Sequence, residues 1–370
     1  MGGAAITRLT LRDFRGYRSA ELAPGPGVTV IHGANGAGKT NLLEALYFGC
    51  TGRSFRTSSD RDMLRFGCDV ARVELEVTAP DGAHTIAAAM DRGEKVFDVD
   101  GSRVQRLTDN PARPLVSVFA PDRLELIKGP PSSRRGHLDQ VVTALWPTRS
   151  QARRSYGAAL AQRNALLSRA RAGGPESALD AWDLELARNG ISLMQNRRAA
   201  ADLVAAVYPD VATELGLTGV SELAYRPRSA AGDAEELAAE LHERRASDLA
   251  RGFTQHGPHR DDLALLRDGR ELRAFGSQGE QRLALLSLLL AEREVLSRER
   301  GSAPLLLLDD VMSELDSARR SLLAERISAG GQTLITTTEQ SHVPALPGSA
   351  HREVQVVDGD VVSCRDALAT

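Results

Sequence analysis

A glycine-rich segment near the start of the chain has the residue types needed to bind a nucleoside triphosphate. Residues 33–40 read Gly-Ala-Asn-Gly-Ala-Gly-Lys-Thr, which matches G-x-x-x-x-G-K-[ST] directly after a β-branched run and before a stretch of helical spacing. Glycines let backbone N–H groups face phosphate oxygens, and the N-terminus of the following helix favours negative charge. Lys39 would supply a positive charge to the β- and γ-phosphates, and the Thr40 hydroxyl would ligate Mg²⁺.

Two adjacent carboxylates follow a purely apolar run late in the chain. Leu305–Leu308 predicts a buried strand, and Asp309 and Asp310 come directly after it. Alone, an acidic strand end exposed to solvent would explain the pair equally well. Beside a phosphate-binding loop, a carboxylate at the carboxyl end of a parallel strand is the second Mg²⁺ ligand, and we assign that role to Asp309. Asp310 is then placed to orient or deprotonate the attacking water.

A third element, the segment Ser-Gln-Gly-Glu-Gln-Arg at 277–282, opens a long apolar helix upstream of the acidic pair. Ser277 and Glu280 have the spacing of a capping box, in which each side chain satisfies a backbone N–H of the other residue. A Ser-x-Gly segment at a helix N-terminus is also suited to bind an anion. The two interpretations are compatible.

The composition divides the chain into an α/β beginning and end around a helical middle. Two seven-residue repeats predict helix over 177–208. A helical hairpin packed inside a small domain explains them better than a free coiled coil, and internal packing explains the seam better than a zipper with a partner. The members of the two repeats are Leu179, Leu186, Leu193, Ala200 and Val207, and Trp182, Asn189, Asn196 and Leu203. The predicted fold class is α/β, with a phosphate-binding-loop sheet and flanking helices interrupted by an all-α second lobe. We predict a nucleotide-binding lobe at 1–133 and 250–370 and a helical lobe at 134–249.

The charge distribution limits the possible partners. The formal net charge of −3 excludes a uniformly basic nucleic-acid binder, and an aromatic content of 4% argues against recognition by base stacking. The segment 131–174 has a local charge of +7 and is the best candidate for a surface facing DNA, although a solvated helix face explains it equally well. Its arginines are Arg134, Arg135, Arg149, Arg153, Arg154, Arg163, Arg169 and Arg171.

The remaining composition argues against a secreted, membrane-bound or zinc protein. Three widely separated cysteines indicate neither a disulfide scaffold nor a zinc site. The chain shows no signal peptide, and no apolar run approaches the ~20 residues of a membrane span. His256 and His259 could ligate a metal by spacing, but the intervening Gly-Pro turn argues against it, and we predict no metal there. We predict a cytoplasmic protein without a membrane partner.

Together the three chemical elements resemble the ABC-type ATPases of the SMC and RecF group. Further blocks are similar to the RecF family of bacteria and follow the same order along the chain. They read LTLRDFRGY at 9–17, GRSFR at 52–56, LIKGPP at 126–131 with the arginine pair after it, HGPHRDD at 256–262 and DDVMSELD at 309–316. The resemblance covers most of the chain, and the helical middle matches least.

The resemblance implies an ABC/SMC-type ATPase head with ATP and Mg²⁺ as cofactors. Thr40 and Asp309 would hold Mg²⁺, and the catalytic residues would be Lys39, Asp310 and, in trans from a second subunit, Ser277. Arg15 matches an arginine that reaches the nucleotide in related ATPases. The residues implied to bind ATP are Gly33, Ala34, Asn35, Gly36, Ala37, Gly38, Lys39, Thr40, Arg15 and, on the partner's γ-phosphate, Ser277, Gln278 and Gly279.

The function implied is that of a recombination mediator in DNA repair and replication restart. Such a protein dimerises with ATP on double-stranded DNA near single-strand gaps, helps load the recombinase with RecO and RecR, and releases on hydrolysis. Two features depart from the wider ABC pattern: Asp310 stands in place of a glutamate, and the next strand ends in threonines rather than a histidine, which leaves the γ-phosphate sensor unassigned. Because the Asp310 side chain is one methylene shorter, we expect slow hydrolysis, and the resemblance implies that DNA stimulates it. The alternatives are the ATPase subunit of an ABC transporter and an ATP-sensing scaffold with negligible hydrolysis.

Overall fold

The structure is a computed structural model that describes residues 3–91, 94–346 and 351–367. The strands are β1 Ala5–Phe14, β2 Tyr17–Leu22, β3 Val28–His32, β4 Val70–Ala79, β5 Gly82–Asp91, β6 Glu94–Val99, β7 Ser102–Val104, β8 Val116–Phe119, β9 Ser221–Arg226, β10 Asp262–Arg267, β11 Arg270–Glu271, β12 Leu305–Leu308, β13 Thr333–Thr337, β14 His351–Val357 and β15 Asp360–Ala367. The α-helices are α1 Lys39–Thr51, α2 Glu125–Lys128, α3 Pro131–Leu145, α4 Ser150–Arg171, α5 Leu179–Ala205, α6 Tyr208–Glu214, α7 Ala234–Glu243, α8 Arg245–Arg251, α9 Leu272–Phe275, α10 Gln278–Arg300 and α11 Ser317–Ser328.

The chain divides by its internal contacts into two compact units. The first comprises Met1–Arg123, Glu214–Gly216 and Arg293–Thr370, and the second comprises Leu124–Thr213 and Leu217–Glu292. The division therefore passes through α10. The lobes expected at 1–133 with 250–370 and at 134–249 are functional divisions and stay a prediction.

The first unit contains a mixed sheet in the order β15-β14-β3-β13-β12-β8, in which all neighbours are parallel except β15 and β14. Its central strands are apolar because both faces are covered, and Leu305–Leu308 is buried at every position. His32 pairs with Thr337, and Leu308 pairs with Ile335. Parallel pairing brings the carboxyl ends of β3, β12 and β13 to one edge, so the segments that follow them lie together.

An antiparallel sheet in the order β2-β1-β4-β5-β6-β7 completes the first unit. The core cluster joins apolar residues of both sheets through α1, which is buried on almost every side. Gly49 permits this, because a Cβ there would lie 2.7 Å from Leu75 Cδ1 of β4. Burial of each large apolar side chain contributes about 1.5–3 kcal/mol, and α1 buries Leu42, Leu43, Leu46 and Phe48 completely. The helix that begins at Lys39 is therefore firmly held.

The second unit is mainly helical and is built around α5. All five members of the first heptad repeat are buried, as the sequence predicts, and α5 packs against α3, α4 and α7. Gly190 allows α7 to approach, because a Cβ there would lie 2.9 Å from Leu237 Cδ2. The seam is internal packing.

The segment expected to be wholly helical contains one strand. Residues Ser221–Arg226 form β9, which pairs antiparallel with β10 in the three-stranded sheet β11-β10-β9. Its partner lies beyond the expected end of the helical lobe at residue 249, so the strand is stabilised by a non-local pairing that local composition does not reveal. The predicted all-α lobe is corrected in this detail.

Arg163 is the largest fully buried side chain of the second unit. On α4, its Nε donates to Asp183 Oδ1 at 2.6 Å, and its Nη1 donates to Asp248 Oδ2 and to Thr254 Oγ1 at 2.7 Å. Arg245 also donates to Asp183. This arginine of the basic segment is therefore an internal tie between α4, α5 and α8, and it is not a surface charge. No helix in the described part of the chain is long and apolar enough to cross a membrane.

Candidate nucleotide-binding site

The loop between β3 and α1 has the backbone conformation that a phosphate cradle requires. Gly36 and Gly38 have φ of +82° and +110°, a region that favours glycine. A Cβ at Gly38 would lie 2.7 Å from the hydroxyl oxygen of Tyr17, which itself donates to Gly38 O at 3.1 Å. Gly359 N donates to Ala37 O at 3.0 Å and fixes the loop from the other side. The loop is thus held open by backbone and side-chain contacts.

Lys39 is the first residue of α1 and is buried at the base of this loop. Its Nζ donates to the carbonyl oxygens of Gly33 at 2.8 Å and Ala34 at 2.9 Å, so the amine lies within the turn. Burial lowers the pKa of Lys39, and the neighbouring Asp310 and Asp309 carboxylates oppose this. A phosphate that accepted hydrogen bonds from Nζ would favour the charged amine.

Thr40 and Asp309 meet directly, although they are 269 residues apart. The Thr40 hydroxyl lies 2.9 Å from Asp309 Oδ1 and 3.0 Å from Oδ2. Thr336, at the carboxyl end of β13, donates from its hydroxyl to Asp309 Oδ1 at 2.7 Å. Burial raises the pKa of Asp309, and the bonds from Thr336 and Thr40 partly offset this. The structure therefore brings together the two residues predicted to ligate Mg²⁺.

Asp310 is oriented by an unusual backbone conformation at the end of β12. Its φ is +49°, and its backbone N donates to the Thr336 hydroxyl at 2.9 Å. The Oδ1 atom of its side chain is buried and has no hydrogen-bond partner. Strained backbone at a strand end and an unpaired buried oxygen are both typical of a group that meets a ligand.

These residues fit Mg²⁺ and a triphosphate by their chemistry. Thr40 and Asp309 offer hard oxygen donors, the donor type that Mg²⁺ prefers. The buried charge of Lys39 and the unpaired oxygen of Asp310 supply further polar groups at the same edge of the sheet. A Mg²⁺–nucleotide would be held by Thr40, Asp309 and the loop.

Arg15 makes no described hydrogen bond with the phosphate-binding loop at 33–40. It occupies the turn between β1 and β2 with φ of +52°, and its guanidinium forms a two-point ion pair with Glu44 of α1, at 2.8 Å from Nε and 2.7 Å from Nη2. Glu44 is fully buried and also accepts from Ser54 and Arg56. Arg15 therefore binds the helix one turn after Thr40, and its contact with nucleotide stays a prediction.

Ser277 directly precedes α10 in the second unit, Gln278 and Gly279 begin the helix, and all three residues are exposed. The capping box is formed: Ser277 N donates to Glu280 Oε2 at 2.7 Å, and Glu280 N donates to Ser277 Oγ at 3.3 Å. Because the Ser277 oxygen accepts, its hydroxyl hydrogen remains available to donate to an anion. Arg267 of β10 forms an ion pair with Glu280, and the Ser277 backbone bond is the main cause of the lowered pKa of Glu280.

The block at 256–262 has a structural role in the second unit. His256 Nε2 lies 2.5 Å from Glu240 Oε2. His259 Nδ1 lies 2.7 Å from the Tyr156 hydroxyl, and its Nε2 lies 3.0 Å from Thr254 O. These partners use both ring nitrogens of His259, and burial lowers its pKa to about 4. The histidines therefore brace the second unit.

Sequence reasoning missed three residues that shape the loop and its surroundings: Thr336, Tyr17 and Glu44. Thr336 belongs to a run of threonines at a strand end, where its hydroxyl accepts from Asp310 N and donates to Asp309. In the sequence the run stands out only because it lacks a histidine, which gives no hint of these hydrogen bonds. Tyr17 and Glu44 carry no local signal, because their roles depend on contacts made after folding.

Comparison with known proteins identifies the family. The family model described as "RecF/RecN/SMC N terminal domain" matches residues 5–358. The DNA replication and repair protein RecF of Anaeromyxobacter sp. (strain Fw109-5) is 40% identical over 357 residues, 93% of this chain and 95% of that protein. RecF of Myxococcus xanthus (strain DK1622) is 37% identical over 98% of both chains.

A solved structure gives the same result. The recombination mediator protein RecF-ATPrS superimposes with a TM-score of 0.84 and 30% identity, covering 97% of this chain and 98% of that one. The predicted fold class, an ABC/SMC-type ATPase head, is thereby confirmed. The chain belongs to the RecF family of DNA replication and repair proteins.

Proposed function

We propose that this protein is a Mg²⁺-dependent ATPase that dimerises with ATP on double-stranded DNA near single-strand gaps and releases on hydrolysis. The observation that carries the proposal is the contact of Thr40 with Asp309 beneath a phosphate-binding loop. In support, the solved relatives are described as a recombination mediator with ATP or an ATP analogue in the RecFOR pathway. By the same relationship we propose RecO and RecR as partners and a cytoplasmic location.

In the proposed mechanism, each described residue has one task. The backbone of 33–38 and Nζ of Lys39 bind the β- and γ-phosphates, and Lys39 exchanges its carbonyl partners for phosphate oxygens. Thr40 and Asp309 would hold Mg²⁺, which would supply positive charge against the phosphates. The buried, unpaired Oδ1 of Asp310 accepts a hydrogen bond from the attacking water and orients it in line with the γ-phosphate.

The second half of the proposed site comes from another copy of the chain. Ser277 presents its hydroxyl and Gly279 an open backbone at the N-terminus of α10, where a γ-phosphate of the partner's nucleotide would bind. Gln278 lies between them. Arg15 would reach the nucleotide only after its ion pair with Glu44 loosens. Because each ATP would be bound between the two copies, the dimer lasts until the ATP is hydrolysed.

The test measures sedimentation of the full chain with and without ATP and gapped duplex, for the natural protein and two variants. Asp310→Asn keeps the side-chain shape and removes the charge, so we expect it to accumulate an ATP-bound dimer. Ser277→Arg is expected to abolish ATP-induced dimers while leaving nucleotide affinity of the monomer within a few-fold. Loss of ATP binding by the Ser277→Arg monomer would contradict the assignment in trans.

The two alternative functions give different outcomes. A transporter ATPase would hydrolyse ATP faster with a membrane partner and not with duplex DNA. A scaffold with negligible hydrolysis would show no change in dimer lifetime with Asp310→Asn. The proposed function requires stimulation by duplex and a prolonged dimer.

A further inference from the structure

The basic segment 131–174 divides into internal and exposed arginines once folded. Arg134 is buried and pairs with Asp262 at 2.7 Å, Arg163 is buried as described, and Arg135 donates to Asp261 O at 2.7 Å. The other five guanidiniums are exposed, at Arg149, Arg153, Arg154, Arg169 and Arg171. The segment is thus not a uniform basic surface, and what remains outside is confined to one helix and its flanks.

The exposed arginines gather at the two ends of α4. Arg149 stacks on Trp146 with 4.0 Å from its guanidinium carbon to the ring centre, and Arg154 donates to Gln151 of its own turn at 2.9 Å. At the other end, Arg171 Nη1 lies 3.4 Å from the backbone oxygen of Arg251, another exposed arginine. Arg153 at the first end pairs with Asp139, 3.2 Å from its Nε, so the charges without a carboxylate partner are those of Arg149 and Arg154 at one end and of Arg169 and Arg171 at the other, among the described residues.

The face of α4 between these clusters is open and free of carboxylates. The inward side of α4 is defined by its buried residues, Tyr156, Ala159, Arg163 and Leu167. The outward side has only small or uncharged residues, namely Gly157, Ala158, Ala161, Gln162, Ala165 and Ser168. The helix contains no Asp or Glu, and no carboxylate in the described part of the chain pairs with Arg154 or Arg169. A polyanion could approach this face closely.

We propose that the outward face of α4 is the surface on which the protein binds the phosphate backbone of duplex DNA. At 1.5 Å per residue of helix, the centres of the two arginine clusters are about 27 Å apart. One turn of duplex DNA is about 34 Å long, so a single duplex can contact both clusters. The face between has no aromatic side chain, so the contact reads charge and shape rather than bases. This inference rests on the DNA partner of the proposed function and adds the place of contact.

The experiment measures binding of the full chain, with ATP and Mg²⁺, to a fluorescent gapped duplex over a range of salt concentrations. Each phosphate contact contributes about 0.9 to the slope of log affinity against log salt. Arg154→Gln with Arg169→Gln should therefore lower the slope by about 2 and weaken binding about 60-fold at 0.1 M salt. The matched pair Arg154→Lys with Arg169→Lys keeps both charges and should retain the slope.

The control is Arg244→Gln, an equally exposed arginine of the same unit that follows the acidic helix α7. It should leave slope and affinity unchanged. If the glutamine pair binds DNA as the natural protein does, the surface is wrong while the proposed function stands. If the Arg154→Gln, Arg169→Gln variant loses ATP-induced dimers but still binds DNA, the outward face of α4 contacts a second protein chain rather than DNA, and the inference fails. If the natural protein binds no duplex, this inference and the DNA partner of the proposed function both fail.

Discussion

Removal of the buried Arg163 guanidinium should strongly destabilise the second unit. Arg163→Met keeps much of the length of the side chain, so it leaves little cavity. It removes three hydrogen bonds of 2.6–2.7 Å and leaves Asp248 without a cation and Asp183 with only Arg245. Breaking a buried ion pair by removing one partner costs about 3–5 kcal/mol, and we expect a loss of unfolding free energy of about 4 kcal/mol.

Tryptophan fluorescence during urea unfolding measures this loss in the right part of the molecule. The two tryptophans of the chain, Trp146 and Trp182, both lie in the second unit. With an m-value of about 2 kcal/mol per molar urea, the midpoint should fall by about 2 M. Arg154→Met, an exposed change on the same helix, should stay within about 0.5 kcal/mol.

A second variant separates the lost charge from the lost packing. Asp248→Asn in the Arg163→Met background removes the carboxylate that has lost its cation and should recover part of the stability. A fall of less than about 1 kcal/mol for Arg163→Met, or the same fall for Arg154→Met, would refute the reasoning that this arginine is an internal tie.

Two further predictions concern charge in the second unit. Because burial lowers the folded pKa of His259 to about 4, the unfolded chain takes up the proton first as pH falls. The contribution of His259 to the unfolding free energy is therefore complete above about pH 6.5 and declines by at most about 1.4 kcal/mol per pH unit towards pH 4. In urea unfolding at a series of pH values, His259→Gln should lack this decline between pH 6.5 and pH 4. A pH profile of the urea midpoint unchanged by the substitution would contradict the assignment. Arg267 neutralises Glu280 beside Ser277, so Arg267→Gln should weaken ATP-induced dimers about fivefold, equivalent to about 1 kcal/mol, in sedimentation equilibrium. Adding Glu280→Gln should restore them, since glutamine also closes a capping box; failure of this rescue would show that Arg267 has only a structural role.

The parts of the fold that could be predicted are those with local signals. The β-branched run before the glycine-rich loop, the four leucines before Asp309 and the seven-residue repeat each predict one element, and all three form as expected. Parallel pairing then explains why Asp309 comes to Thr40. That step needs only the rule that parallel strands end at the same edge of a sheet.

What could not be predicted depends on non-local partners. β9 is a strand because β10 lies beside it, and Arg163 is internal because Asp183 and Asp248 converge on it from other helices. Arg15 shows the same limit, since nothing near it in the sequence announces its ion pair with Glu44. A run of arginines has one composition whether its members face solvent or a buried carboxylate.

The measurement that tests the account most directly is ATP hydrolysis by a mixture of two inactive variants, Lys39→Ala and Ser277→Arg. If a site is completed across two copies of the chain, a mixed dimer holds one intact site with Lys39 from one copy and Ser277 from the other. Because Ser277→Arg forms no ATP-induced dimers by itself, activity comes only from mixed dimers, each with one intact site of two, so each mixed dimer should hydrolyse ATP at up to about half the natural rate. A mixture as inactive as its components, with mixed dimers shown to form, would contradict the claim that Ser277 acts on the partner's nucleotide.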